Sequence, residues 1–119
     1  MIVVGTKQDT THFIDPRTMS ISEALHHDIE VNEIKWGYSD HLLYCTTGTG
    51  SIRIYSYPEM QVVWEVKGHT ANTYTIDFDP KGRYFVTGGA DAHVCVFDIQ
   101  EVVCCSTISR HEYAYLLFC

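Results

Sequence analysis

The sequence predicts an all-β protein made of one four-stranded antiparallel sheet repeated along the chain. Three observations predict it. His27, His69 and His111 stand 42 residues apart, and apolar positions recur at the same offset: Ile34 on Ile76 and then on Phe118, Trp36 on Phe78, Leu43 on Phe85, Ile52 on Val94, Ile54 on Val96 and Tyr55 on Phe97. Within a copy the apolar residues alternate with period two, as in Thr73-Tyr74-Thr75-Ile76-Asp77-Phe78, which is the spacing of a strand with one buried face. Turn-forming clusters bound these short runs at Thr47-Gly48-Thr49-Gly50, Tyr57-Pro58-Glu59 and Asp79-Pro80-Lys81-Gly82.

The elements follow in order. Val3-Val4-Gly5 and Phe13-Ile14-Asp15 match Val86-Thr87-Gly88 and Val96-Phe97-Asp98 at an offset of 83, one short of two periods, so one loop differs by a residue. Ser20 and Glu23 have capping-box spacing and Ala24-Leu25 would suit a helix. Register with the other copies makes Ser20 to Asp28 an outer strand and turn instead. Val31 to Trp36, Ser51 to Tyr55 and Val62 to Val66 are short, β-branched or aromatic runs, with Leu43 and Cys45 between them on a second inner strand. Thr73 to Phe78, Phe85 to Gly88 and Val94 to Phe97 repeat the series, and Tyr115 to Cys119 opens another. The expected units are therefore 1–26 (the end of one sheet), 27–68, 69–110 (the best-preserved copy) and 111–119 (the start of a further copy).

At 119 residues and a 42-residue period, fewer than three copies are present. A closed domain of this size buries about two-thirds of its extended surface. An open run of sheets leaves edges unpaired. The polypeptide alone is expected to be marginal or to aggregate, and a cooperative melt of the isolated chain would contradict that.

Charge excludes several functions. Eight Lys+Arg against 15 Asp+Glu give a net charge of −7, and the longest basic grouping is Lys81-Gly82-Arg83 in a turn. Neutralising a phosphate backbone requires a basic stripe, and anionic membrane surfaces ask for the same. Neither direct nucleic-acid binding nor a membrane contact is expected. The longest apolar run, Tyr113 to Cys119, is seven residues, far short of the roughly 18 that span a bilayer. No basic n-region follows Met1, so no secretory signal is read. The five cysteines, Cys45, Cys95, Cys104, Cys105 and Cys119, form neither a C-x-x-C nor an even framework. They read as reduced thiols of an intracellular protein.

Four short strands in about 42 residues, with an upstream His and a closing aromatic-Asp pair, resemble a blade of the WD40 β-propeller family. The clearest copy reads Gly68-His69, then Ile76-Asp77-Phe78-Asp79-Pro80-Lys81-Gly82, then Phe85-Val86-Thr87-Gly88-Gly89-Ala90-Asp91, and ends Phe97-Asp98. The fold class implied is an incomplete WD40 propeller. In that family a His, a Ser/Thr, an Asp and the Trp of Trp-Asp form a buried hydrogen-bond chain. By position the resemblance assigns these to His69, Thr87, Asp91 and Phe97. Phe97 has no N–H, so the chain is expected to end one donor early, a loss of about 0.5–1.5 kcal/mol. In the preceding copy Cys45 and Thr49 replace the Thr and Asp, leaving His27, and the polar network is expected to be dropped there.

The likeness goes further. Val4-Gly5-Thr6-Lys7-Gln8-Asp9, Val31-Asn32-Glu33-Ile34-Lys35-Trp36, Ser56-Tyr57-Pro58-Glu59, the stretch Phe78 to Ala92 and Ser109-Arg110 resemble, in order, the middle blades of the THO complex subunit 3 family. That resemblance implies a non-catalytic nuclear scaffold that joins transcription to mRNA processing and export. Its expected partners are proteins, namely other THO subunits and mRNA export factors, with RNA reached only through basic partners. No small-molecule substrate and no cofactor are implied. The alternative is a WD40 interaction module of another assembly, such as a ubiquitin-ligase substrate receptor or a chromatin complex.

Sharper chemical readings are weaker than the repeat. His69 and Asp91 could be an acid–base pair, but the blade spacing accounts for both. His26-His27-Asp28 lacks a third metal ligand at useful spacing. Thr47-Gly48-Thr49-Gly50 lacks the Lys and the strand-to-helix context of a phosphate loop. Cys104 and Cys105 are strand neighbours facing opposite sides rather than a redox pair. No nucleophile, base and orienter are assembled from the spacing, so no enzyme is expected. Of the aromatics, Tyr55 and Tyr84 fall at core-type positions, while Tyr57 and Trp64 lie on the outer side and are the candidates for partner contact.

Overall fold

The computed structural model describes residues 1–7, 9–38 and 41–100, together with the backbone of 103–108. The expected strand at 115–119, His111, Ser109-Arg110 and Cys119 lie outside the described residues, as do the side chains of Cys104 and Cys105. Eleven strands are formed among the described residues: β1 (Ile2–Gly5), β2 (Thr10–Asp15), β3 (Ser20–His26), β4 (Val31–Trp36), β5 (Leu42–Thr47), β6 (Ser51–Ser56), β7 (Val62–Lys67), β8 (Thr73–Phe78), β9 (Tyr84–Gly89), β10 (Val94–Asp98) and β11 (Val103–Ile108). They make three meandering sheets ordered β1-β2-β3, β4-β5-β6-β7 and β8-β9-β10-β11, every pair antiparallel. The stretch with capping-box spacing is strand β3, since its cross-strand partners on β2 outweigh a local helical preference.

Irregularities recur with the repeat. The ladder shifts between Val31 and Glu33 on β4 and between Thr73 and Thr75 on β8. It shifts again between Phe13 and Ile14, between Ile54 and Tyr55, and between Val96 and Phe97. Bulges placed alike in each copy give each sheet the same added twist. The turns repeat too. Asp9, Gly50 and Ala92 hold one turn position with φ of 57°, 87° and 63°, while Met19 and Met60 hold another with φ of 54° and 57°. Left-handed backbone at matched positions shows the repeat at the level of the main chain.

The core lies between sheets rather than within one. Tyr44, Ile52 and Ile54 of the second sheet pack with Ile76, Phe85, Cys95 and Phe97 of the third. Phe13 of the first sheet meets Leu43, Cys45 and Tyr55 of the second. Aromatic geometry completes the larger cluster, with Phe85 stacked on Phe97 at 4.8 Å between ring centroids and 8° between planes, and Tyr44 edge-on to Phe78 at 4.9 Å. The buried apolar side chains come chiefly from β2, β5, β6, β8, β9 and β10, whereas β1, β3 and β7 are mostly exposed.

Polar seams tie the inner strands of adjacent sheets. Asn32 Nδ2 donates to the Thr73 carbonyl at 2.8 Å, and the Ile76 N–H donates to Glu33 Oε2 at 3.2 Å. Lys35 and Asp77 form an ion pair at 3.2 Å, exposed and so worth little on its own.

Candidate functional site

His69 sits in the loop between β7 and β8, held from below by the β5–β6 turn. The Gly50 carbonyl accepts from both the Gly68 and His69 N–H groups, at 3.2 and 3.0 Å. His69 Nδ1 is 2.9 Å from Asp91 Oδ1 and its Nε2 is 2.8 Å from Thr87 Oγ1. Against a carboxylate Nδ1 is the donor. Asp91 also accepts from the Thr70 and His93 N–H groups, both at 3.1 Å. Burial opposes ionisation of Asp91, but the hydrogen bonds from His69, Thr70 and His93 outweigh it and hold its carboxyl below the ordinary value. Phe97 is fully buried on Phe85. Near it Cys95 Sγ, 3.0 Å from the Gly68 carbonyl, donates to the loop that carries His69.

Thr87, His69 and Asp91, the three that the resemblance assigns to a structural hydrogen-bond chain, thus also stand in the order of a nucleophile, a base and its orienter. Burial decides what this trio is. Thr87 is 1% exposed and His69 2%, so no substrate reaches the hydroxyl. The bonds join a loop, a strand and a turn, and their effect is to lock the third sheet. Replacing Asp91 by Ala is expected to cost about 1–3 kcal/mol, from the partners left unsatisfied. A thermal-shift assay in which this variant melts with the parent would remove that assignment.

The second sheet departs from expectation. His27 is bonded through Nε2 to Thr11 Oγ1 at 2.6 Å and through Nδ1 to the Tyr55 hydroxyl at 3.1 Å. Tyr55 stands at the repeat position of Phe97, so a phenol occupies the place of the missing ring N–H. The polar network is rebuilt there rather than dropped. It continues through Arg53, whose Nη1 is 2.7 Å from Asp28 Oδ1 and whose Nε is 3.2 Å from Glu65 Oε2. Glu65 accepts from Ser51 Oγ at 3.2 Å, and Ser51 and Thr47 hydroxyls lie 2.7 Å apart. The Tyr55 hydroxyl and then the Asp28 carboxylate raise the Arg53 value further, fixing its charge in place although its side chain is only 14% exposed. The Cys45 thiol is pushed up to about 12 by burial, which removes it as a nucleophile.

The adjacent histidine is held as well: His26 Nδ1 is 2.6 Å from Thr10 Oγ1, beside His27, both of whose nitrogens are engaged as above.

The network carries a pH dependence. Burial, followed by the nearby charge of Arg53, lowers the His27 value below its ordinary 6.5. The unfolded chain takes up that proton first, so the contribution of His27 is whole above about pH 6.5 and shrinks as pH falls below it. Asp91, lowered from 3.8, adds a second loss at more acidic pH, as pH falls through its folded-state value. The melting temperature is expected to fall on acidification from about pH 7 to about pH 5, with a shallower slope in His27→Gln. A melting temperature that rises over that interval would contradict this.

Two aromatic assignments change. Tyr57 is no free surface residue: its ring lies 5.3 Å from Phe13 and 5.1 Å from Trp36, filling the seam between the first two sheets. Tyr84 is 39% exposed rather than core, because it opens β9 beside the Asp79–Gly82 turn, with the Arg83 guanidinium 5.8 Å from its ring centroid. Trp64 keeps its place on the outer surface at 53% exposure, between Val63 and the ion-paired Glu65 on edge strand β7. An exposed indole next to apolar β-branched residues suits a protein contact.

Comparisons with known proteins agree with this architecture. Residues 60–98 match the family described as WD domain, G-beta repeat, the segment running from β7 to the end of β10. The chain is 35% identical over 94% of its length to THO complex subunit 3 of Arabidopsis thaliana, covering 36% of that protein. It is 27% identical over 94% of its length to WD repeat-containing protein AAC3 of Dictyostelium discoideum, covering 25% of it. With the periodic tryptophan protein 2 homolog of Mus musculus it shares 24% identity over 79% of its length, covering 10% of that protein. The chain thus spans about a third or less of the curated relatives it matches. Repeated four-stranded sheets, matched bulges and a buried His-Thr-Asp chain in the matched repeat make this an incomplete WD40 β-propeller, similar in sequence to THO complex subunit 3.

Proposed function

We propose that the chain is part of a non-catalytic WD40 scaffold in a nuclear THO-type assembly, where it helps couple transcription to mRNA processing and export. The observation that carries this is the 35% identity to THO complex subunit 3 over 94% of the chain. The surface supports a docking role: a net charge of −7 disfavours a phosphate backbone, while Trp64, 53% exposed, offers an anchor to a protein partner. The partners are other THO subunits and mRNA export factors. RNA is reached through their basic surfaces, and the scaffold needs no cofactor, small-molecule substrate or membrane.

Affinity purification of the tagged intact gene product from nuclear extract tests this. Co-purification of THO subunits is the expected result; their absence, with a different stable set of partners, would overturn it. Similarity to WD repeat-containing protein AAC3 over the same 94% of the chain favours, as the second reading, a WD40 interaction module of another assembly.

A further inference from the structure

The outer strand of the second sheet, β7, carries three apolar residues in a row at the surface: Val62 at 48%, Val63 at 45% and Trp64 at 53% exposure. This sheet has a neighbour on each side, since its core residues pack both with the third sheet and with the first. The exposure therefore belongs to the outer rim and not to an end of the chain. An exposed apolar run on a folded domain marks a surface that binds something.

The other sheets show that the fold does not ask for these side chains. Each pairs its last two strands across one bulge, which follows Phe13, Ile54 and Val96 in turn. Opposite those residues stand Glu23, Trp64 and Ser106, and the extra residues at the bulges are Ser22, Val63 and Cys105. The first sheet fills the two positions with exposed Ser22 and Glu23, and the third has Ser106 in register with the indole. Valine and tryptophan there are particular to β7 among the three outer strands.

Charge selects the kind of partner. The run is bracketed by Glu59 and Glu65, both exposed, and residues 54–66 hold no Lys or Arg. Glu65 and Asp28 share the Arg53 guanidinium, whose side chain is 14% exposed against 43% and 77% for theirs, so the carboxylates face solvent and the cation does not. Lys67 lies beyond Glu65, at the end of the strand. An exposed indole face adds its own attraction for a cation. We propose that Val62, Val63 and Trp64 form the docking site for a protein segment that presents Arg or Lys among aliphatic side chains. The inference rests on the scaffold reading above and gives the basic partners of that scaffold a place to bind. A second copy of this chain is disfavoured there, because a net charge of −7 sets acid against acid.

Fluorescence anisotropy with the purified intact gene product tests this, using two labelled decapeptides, one alternating Arg with Val and the other Glu with Val. The Arg/Val peptide is expected to bind at least about tenfold more tightly, and the double variant Val63→Ser/Trp64→Ser to weaken it by about tenfold or more. The melting temperature of that variant is expected to match the parent, since the other outer strands carry serine at the matching positions. Trp64→Tyr keeps an aromatic face and is expected to keep most of the binding, which separates loss of the site from loss of the fold. Equal binding of the two peptides overturns the proposal, and so does a double variant that binds the Arg/Val peptide as the parent does. A parent that self-associates through this surface, with the double variant monomeric, assigns it to a second copy and overturns the proposal too. Co-purification is read apart from these: absence of THO subunits removes the scaffold reading and leaves the peptide result standing.

Discussion

Replacing Phe85 by Ala is expected to lower the unfolding free energy by about 3–5 kcal/mol, the range for deleting a large aromatic from a packed core. Phe85 is fully buried, stacks on Phe97, and sits 5.3 Å from Tyr44 and 6.0 Å from Phe78. It therefore touches both sheets of the larger core, and its removal opens the seam between them rather than a pocket inside one. The three neighbouring rings cannot all relax into the space. Urea unfolding at unchanged slope would read the loss as a lower midpoint. A midpoint within error of the parent would mean that the sheets are not held together by this cluster.

Gly50→Ala is expected to cost about 2–5 kcal/mol, combining left-handed backbone strain of about 1–2 kcal/mol with overpacking of about 1–3 kcal/mol. Its φ is 87°, and an added Cβ would run into the His69 carbonyl oxygen and lie 2.8 Å from that of Ala71. Both are main-chain atoms that cannot swing aside, and the Gly50 carbonyl anchors the loop bearing His69. Position 92 provides the control. Ala92 already carries a Cβ at the matching turn with φ 63°, so Ala92→Gly is expected to change stability by less than about 1 kcal/mol. Equal effects at the two positions would show that conformational strain, not the carbonyl, makes Gly50 special.

Sequence made the fold legible because the repeat is written in apolar residues, and burial between sheets acts on those directly. Ile34, Ile76, Phe85 and Phe97 could be aligned from spacing alone, and each packs against a neighbouring sheet. The His69–Thr87–Asp91 bonds were equally legible, since a single copy contains all three at the family spacing. The cluster around His27 was not. Its members Thr11, Tyr55 and Arg53 come from two sheets at unrelated separations, and polar side chains that meet only through tertiary packing leave no period. One signal was available: Arg53 and Glu65 are direct cross-strand partners once the β6–β7 register is set. Tyr57 was misplaced because position on an outer loop does not reveal an inter-sheet seam that its ring can fill.

The proposed role is that of an acidic scaffold that works through contacts with proteins and reaches RNA only through them. The most direct test is a salt titration of RNA binding by the purified intact gene product, alone and with the subunits that co-purify with it. Weak binding with a shallow salt slope for the protein alone, and tight binding only with its partners present, is the predicted result. Tight binding by the protein alone, with affinity falling steeply as salt rises, would contradict it.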